Sequence, residues 1–301
     1  MARSPEGPPP PPVVQRLRIH YAKRGRLRFT SHRDFQRAFE RAVRRAGVPI
    51  AFSAGFRPHP RISYAGAAST GVASEAEYLE IGLAAACRPE AVRDALDASL
   101  PDGLDVIEVI EVAVGRPGGA GALADRLEAS RWRIEIPGLA PADAAAAVAA
   151  FLARDEVGVE RLTKDGRRSF DARGPVVSLT VLDGAGADEP GATVEPVVEP
   201  TREPVDGAAI GRAGTEAFVP DAGHRAILDL VVRHVTPAVR PDDVLTAVRS
   251  VADRVPPSTE ARVTRLAQGP LGDGGRIADP LAADRSAAGA PDSVVGATPA
   301  G

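Results

Sequence analysis

The chain opens on an alternating pattern. Val13, Leu17, Ile19 and Tyr21 stand among polar residues at the period of a half-buried strand. Lys23-Arg24-Gly25-Arg26 predicts a turn, and residues 27–29 form a second short apolar piece. The period then changes. Over residues 32–46, Phe35, Phe39, Ala42, Val43 and Ala46 recur at helical spacing, so one face of a helix is apolar. Ser31 precedes it with Asp34 three residues on, a capping box with Asp in place of Glu, and Gly47 stops it. Residues 48–52, 61–66 and 76–83 read as strand-like segments, 89–100 as an amphipathic helix, and 104–114 as a strand.

The second stretch repeats this grammar. Residues 131–136 predict a strand, 141–154 an Ala-rich helix, and 157–162, 170–173 and 176–182 further strands. Residues 222–234 follow as a strand, 241–251 as a helix and 261–266 as a last strand. Strand, helix, strands, helix, strand, twice over, predicts an α+β fold of two consecutive ferredoxin-like βαββαβ-type domains. A doubly wound sheet would need a helix after nearly every strand.

Composition trims the foldable part. Gly (30) and Pro (28) concentrate in residues 1–12, 183–220 and 267–301, the middle one carrying 8 acidic and 2 basic side chains. Such segments bury too little apolar area to offset the entropy of ordering, so all three are expected to be disordered. The expected organisation is a basic domain at 13–115, a linker at 116–129, and a second domain at 130–266 holding the acidic insert. No apolar run approaches a membrane span, and prolines 8–12 stand where a secretory signal needs its apolar core. A cytoplasmic protein with no membrane partner is the expectation.

Charge changes the picture most. The chain is nearly neutral at −3, yet residues 1–62 hold 14 basic and 3 acidic side chains, a net of +11. Such asymmetry points to a polyanionic partner. Arg33, Arg37, Arg41 and Arg44 fall on one stripe opposite the phenylalanines, Arg45 lies beside them, and Lys23, Arg24, Arg26 and Arg28 precede them. In SAGFRPHPRISY, Arg57, His59 and Arg61 alternate with prolines that hold the chain extended, and Phe56 and Tyr64 are candidates to stack on bases. Nucleic-acid binding is the leading reading. RNA stands ahead of DNA, because no helix-turn-helix or zinc module is present. An ordinary solvated helix face, or docking against the acidic insert or another protein, remains the alternative.

Catalytic signals are sparse. His59, with Ser53 and Tyr64, is a weak candidate for acid–base cleavage of RNA. His32 reads as a local cap and His20 as part of the basic surface; His224 and His234 are too sparse for a metal site. Cys87, the only cysteine, reads as a small core residue. A single thiol excludes an internal disulfide framework and a self-contained iron–sulfur cluster. Residues 119–124 formally match GxGxxG/A but sit in a linker context, late in a βαββαβ unit.

The run RFTSHRDFQRAFERAVRRAGVPIAFSAGFRPHPRISYA, with STGVASEAEYLEIGL, FLARDEVGVERLTKDGRRSFDAR and AVRPDDVLTAV, resembles the radical SAM-linked DUF2344 group of bacterial proteins. That resemblance implies an accessory role beside a separately encoded radical SAM protein, whose iron–sulfur/SAM or cobalamin cofactors would reside on the partner and not on this chain. It also implies proximity to ribonuclease E/G-type machinery and to RNA, whether tRNA or rRNA. It supplies no catalytic residues. The expectation is an RNA-binding accessory module. The alternatives are an RNA-processing or RNA-modifying component using His59, and a protein-interaction scaffold.

Overall fold

Strand alternation and one long apolar helix stripe organise the first half. The computed structural model describes residues 11–112, 122–163, 166–182, 225–252, 255 and 261–288. Strand β1 (Gln15–Lys23) leads through a 3-10 turn (Gly25–Phe29) to helix α1 (His32–Arg45). Strands β2 (Ile62–Ala65) and β3 (Ala73–Leu83), helix α2 (Pro89–Asp97) and strand β4 (Val106–Val112) follow. The Asp34 amide donates to Ser31 Oγ at 3.2 Å, while the Ser31 hydroxyl donates to Asp34 Oδ2 at 2.7 Å, so the first turn of α1 is capped as its sequence implies. Phe35, Phe39, Ala42 and Val43 are buried against Leu17, Ile19, Leu79 and Ile81 of β1 and β3.

In the second half, β5 (Ala129–Pro137) and α3 (Pro141–Leu152) precede the hairpin β6 (Gly158–Thr163) and β7 (Gly166–Asp171). Strands β8 (Val176–Leu182) and β9 (Arg225–Arg233), helix α4 (Pro241–Val251), strand β10 (Arg262–Gly269) and helix α5 (Ala282–Ala288) complete the chain. Phe151, Val148, Val244 and Val248 of the helices pack on Ile134, Ile136, Leu228 and Leu230. The result is a mixed α+β fold with strands and helices interleaved.

The strands order themselves as β4-β1-β3-β10-β5-β9-β8, with β2 also on β3, in one eight-stranded sheet; β6 and β7 form a separate two-stranded one. The two halves, expected as separate domains, therefore share a sheet. Their seam is brief: β10 runs parallel to β3 with Thr264 opposite Ala73 and Arg265 opposite Ser74. Register carries the faces across this seam. The Val263 and Arg265 side of β10 continues the Ser74 and Ala76 side of β3, whereas Leu79 and Ile81 face α1. Helices α3 and α4 consequently lie on the sheet face opposite α1 and α2.

Two expectations about unstructured segments need correction. Residues 122–129, assigned to a linker, form a 3-10 turn (Leu123–Arg126) whose Leu123 is buried, with Leu127 buried just after it, and β5 begins at Ala129. Residues 267–288, assigned to a disordered tail, finish β10 and build α5, with Leu281 fully buried among Ala76, Tyr78 and Ile110. Asp284 accepts from Arg18 Nη1 at 2.6 Å and from Arg126 at 2.7 and 3.0 Å. Buried Leu281 and a buried carboxylate shared between two guanidiniums are thus among the anchors of a segment without aromatics, with the Arg285–Glu108 ion pair beside them. The acidic insert 183–220, the glycine-rich motif up to Gly121, residues 1–10, His224 and residues 289–301 lie outside the described residues.

Candidate nucleic-acid interface

The stripe on α1 survives in three dimensions. Arg33, Arg37, Arg41, Arg44 and Arg45 are all exposed, because the opposite face carries the phenylalanines into the core. Arg37 has Asp34 3.9 Å away, and Arg45 donates to the Ser99 carbonyl at 3.1 Å. Among the described residues, Arg33, Arg41 and Arg44 have no carboxylate within ion-pair distance, and neither does Arg26 in the turn before the helix. Helical neighbours of like charge cost a few tenths of a kcal/mol, roughly, so the stripe is mildly destabilising by itself.

The preceding basic run is mostly consumed by the fold. Lys23 is buried at the end of β1, its ammonium donating to the carbonyls of Ala68 (3.3 Å) and Ser69 (3.1 Å), and burial lowers its pKa. Arg24 is bidentate to Glu75 and donates to Asp105 Oδ2 at 2.7 Å, which raises its pKa. Arg28 is half-buried, with its guanidinium 4.6 Å above the Phe29 ring. These three serve local structure first.

Tyr64 is also misplaced by the sequence reading. Its ring meets His32 (5.2 Å) and Phe35 (5.9 Å) edge-on beneath α1, its hydroxyl is buried with no hydrogen-bond partner among the described residues, and burial raises its pKa. A ring wedged between helix and sheet cannot also stack on a base. His20, expected on the basic surface, instead stacks on Tyr78 at 4.7 Å and lies 2.7 Å from the Glu75 carbonyl through Nε2. Burial lowers the pKa of its ring.

Residues 51–61 fold back on themselves. The Ser53 amide donates to the His59 carbonyl at 2.8 Å and the His59 amide to Ser53 Oγ at 3.0 Å, closing a neck. Gly55, at φ +123, supplies the left-handed turn at the tip. The tip presents Arg57 and Phe56, the latter 69% exposed. Beyond the neck, Arg61 and Ser63 alternate with Ile62 and Tyr64, so Arg61 points to the sheet face opposite α1. There it borders a cleft of about 270 Å³ with Arg16, Ser53, His59, Ser63 and Glu80. The sequence reading placed Arg61 with the helix stripe; the structure puts them on two sides of the sheet, with the exposed loop between.

Two contributors escaped the sequence reading. Phe29 is 58% exposed just before α1, adjacent to Arg26 and Arg28, and Arg16 joins Arg61 at the cleft. The alternation of Arg16 and Arg18 in QRLRIH was the available signal for the second.

Residues 16–241 match the family described as an uncharacterized protein conserved in bacteria, DUF2344. The chain belongs to the DUF2344 family. No curated protein matches it. In this DUF2344 chain the matched span takes in β1 from Arg16 on, α1, the Phe56 loop and the cleft lining apart from Val13, and ends at the start of α4. Buried Asp284 lies beyond that span. Among the described residues no helix is long and apolar enough to cross a membrane, and no three His, Cys, Asp or Glu residues are grouped to hold a metal ion.

Proposed function

We propose that this chain is an RNA-binding accessory module that works with a separate RNA-processing or radical SAM RNA-modifying enzyme in the cytoplasm. The observation that carries the reading is the outer face of α1, where three guanidiniums have no carboxylate within ion-pair distance among the described residues although the rest of the chain is acidic. Exposed arginines at one-turn intervals match the spacing of phosphates along a strand, and Phe29 and Phe56 add two exposed rings for bases. The fold supports the same reading. In each half, the last, first, third and second strands lie side by side in that order, β6–β7 being an inserted hairpin, so we read each as a ferredoxin-like unit. With Cys87 as the only thiol, iron–sulfur chemistry would belong to the partner.

The test is a salt titration of affinity for single-stranded and structured RNA. Log K should fall with log[salt] at a slope near 0.7 per contacted single-strand phosphate, roughly. The double variant Arg37→Gln/Arg41→Gln should weaken all RNAs by a similar factor and flatten that slope. Equal affinity of wild type and double variant at every salt concentration would remove α1 from RNA binding and favour a protein-interaction scaffold.

A further inference from the structure

We infer that the cleft on the sheet face opposite α1 is a nucleotide site, with a phosphate held by Arg61, His59 and Arg16 and the nucleoside laid against Val13 and Pro60. This goes beyond the helix-face reading and does not depend on it. The cleft contains both halves of such a recognition surface. Its polar side has two guanidiniums, an imidazole and the hydroxyls of Ser53 and Ser63; its apolar side has Val13 and Pro60. A volume of about 270 Å³ is close to the lower end of small-ligand pockets, roughly 300 Å³.

Charge compensation decides the sign of the ligand. The single carboxylate in the cleft, Glu80, is already occupied on both oxygens, by Arg16 Nη1 at 2.7 Å and by Arg18 Nε at 3.1 Å. Arg18 is in turn bound to Asp284 at 2.6 Å, and Asp284 also takes Arg126 at 2.7 Å. In the cleft itself two guanidiniums, Arg16 and Arg61, therefore face the one carboxylate of Glu80, and Arg61 has no carboxylate within ion-pair distance among the described residues. The surplus is positive and sits at the mouth, where an anion of small size satisfies it.

The lining is preorganised. Glu80 fixes Arg16, and the reciprocal Ser53–His59 bonds fix the backbone that presents the imidazole. Pro58 and Pro60 limit the backbone on either side of His59. Arg61 is anchored by its amide to the Ala51 carbonyl at 2.8 Å and by its carbonyl to the Gly82 amide at 2.9 Å. Gly82 forms the floor: a Cβ there would stand 3.1 Å from the Val13 methyls and 3.3 Å from Arg61 Cβ, so glycine lets both walls close over it. Little ordering remains for a ligand to drive, which favours binding.

The same chemistry is offered by a free nucleotide and by the phosphorylated end of an RNA strand. Titration of the full-length protein with adenosine monophosphate (AMP), followed by calorimetry, tests the site. Saturable binding should weaken by about 10- to 100-fold in Arg61→Gln, the loss expected for one charge-assisted hydrogen-bonding partner. Arg37→Gln/Arg41→Gln should leave AMP binding unchanged, which keeps this result separate from the helix face. Ser63→Trp, which fills the cleft from an exposed position, should abolish it with the unfolding transition retained. Displacement of AMP by a 5′-phosphorylated oligoribonucleotide would support the strand end as the source; AMP binding without such displacement would support the free nucleotide. Absence of binding at millimolar AMP, equal affinity for inorganic phosphate, or an unaltered isotherm for Arg61→Gln would overturn the assignment.

Discussion

Arginines meet opposite fates on α1 and at the seam between the sheet halves. On α1, Arg33, Arg41 and Arg44 extend into solvent with no carboxylate within ion-pair distance among the described residues. At the seam, Arg265 is buried and saturated: it pairs with Glu77, donates to Ser74 Oγ at 3.2 Å and to the Gly66 carbonyl at 2.7 Å, and lies 5.3 Å from the Trp132 ring. It fills the stretch of the β3 edge between the end of β2 and the start of β10. The difference teaches that a basic count alone says little about what a cation does. An arginine surrounded by strand carbonyls and a carboxylate is cement, because its desolvation is repaid only by complete hydrogen bonding. One on a helix face with apolar residues behind it is available to a partner.

The sharpest way to break this contrast is to remove the carboxylate at the seam. Glu77 also accepts from the Ala68 amide at 3.1 Å, so Glu77→Ala leaves the buried Arg265 guanidinium without its carboxylate. It should cost about 3–5 kcal/mol in urea unfolding. A loss below about 0.5 kcal/mol, the range of ordinary surface substitutions, would show the seam to be no different from surface. Leu281→Ala follows at about 2–5 kcal/mol, since its side chain is fully buried where α5 covers the first half of the sheet. Wild-type stability in this variant would return residues 267–288 to the status of a tail.

Effects on α1 and its loop should appear in binding instead. Phe56→Ala should leave unfolding unchanged and cost roughly 1–3 kcal/mol of RNA affinity without altering the salt slope. Arg37→Ala alone should stay within about 0.5 kcal/mol of wild-type stability; a larger loss would mean that the stripe is structural after all. The smallest expected effect is in pH. Burial lowers the pKa of His20 and of His234, whose ring is bonded to Ser130 and to the Leu127 carbonyl. The unfolded chain then binds more protons than the native one just below the ordinary histidine pKa of about 6.5. Stability from these two residues is complete above that value and is lost as pH falls toward the depressed native pKa values. His234→Gln should flatten the decline between neutral and mildly acidic pH, measured by urea midpoints.

Much of the candidate site was legible because it rests on one strong period. Phe35, Phe39 and Val43 at helical spacing forced the arginines between them outward. The Phe56 loop was legible from its Gly and Pro content, which allows neither helix nor central strand. Lys23, Arg24 and Tyr64 were misread for one shared reason. Their partners, Ser69, Glu75, Asp105 and His32, lie tens of residues away or on another element, and no local pattern marks such a pairing. Alternation did reveal that Arg61 and Ile62 face opposite ways, but only the β2–β3 register shows which side holds α1.

By itself the sequence determined the elements, the apolar faces and the concentration of positive charge, all consequences of short-range spacing and composition. Tertiary structure alone decided that β10 would run beside β3, joining the two halves in one sheet. It also decided that a stretch poor in aromatics would dock through Leu281 and Asp284, and that the basic residues would divide between two faces. Those outcomes depend on which distant carboxylate is desolvated beside which guanidinium. That energy exists only once chain segments far apart in sequence are brought together in a common low-dielectric interior.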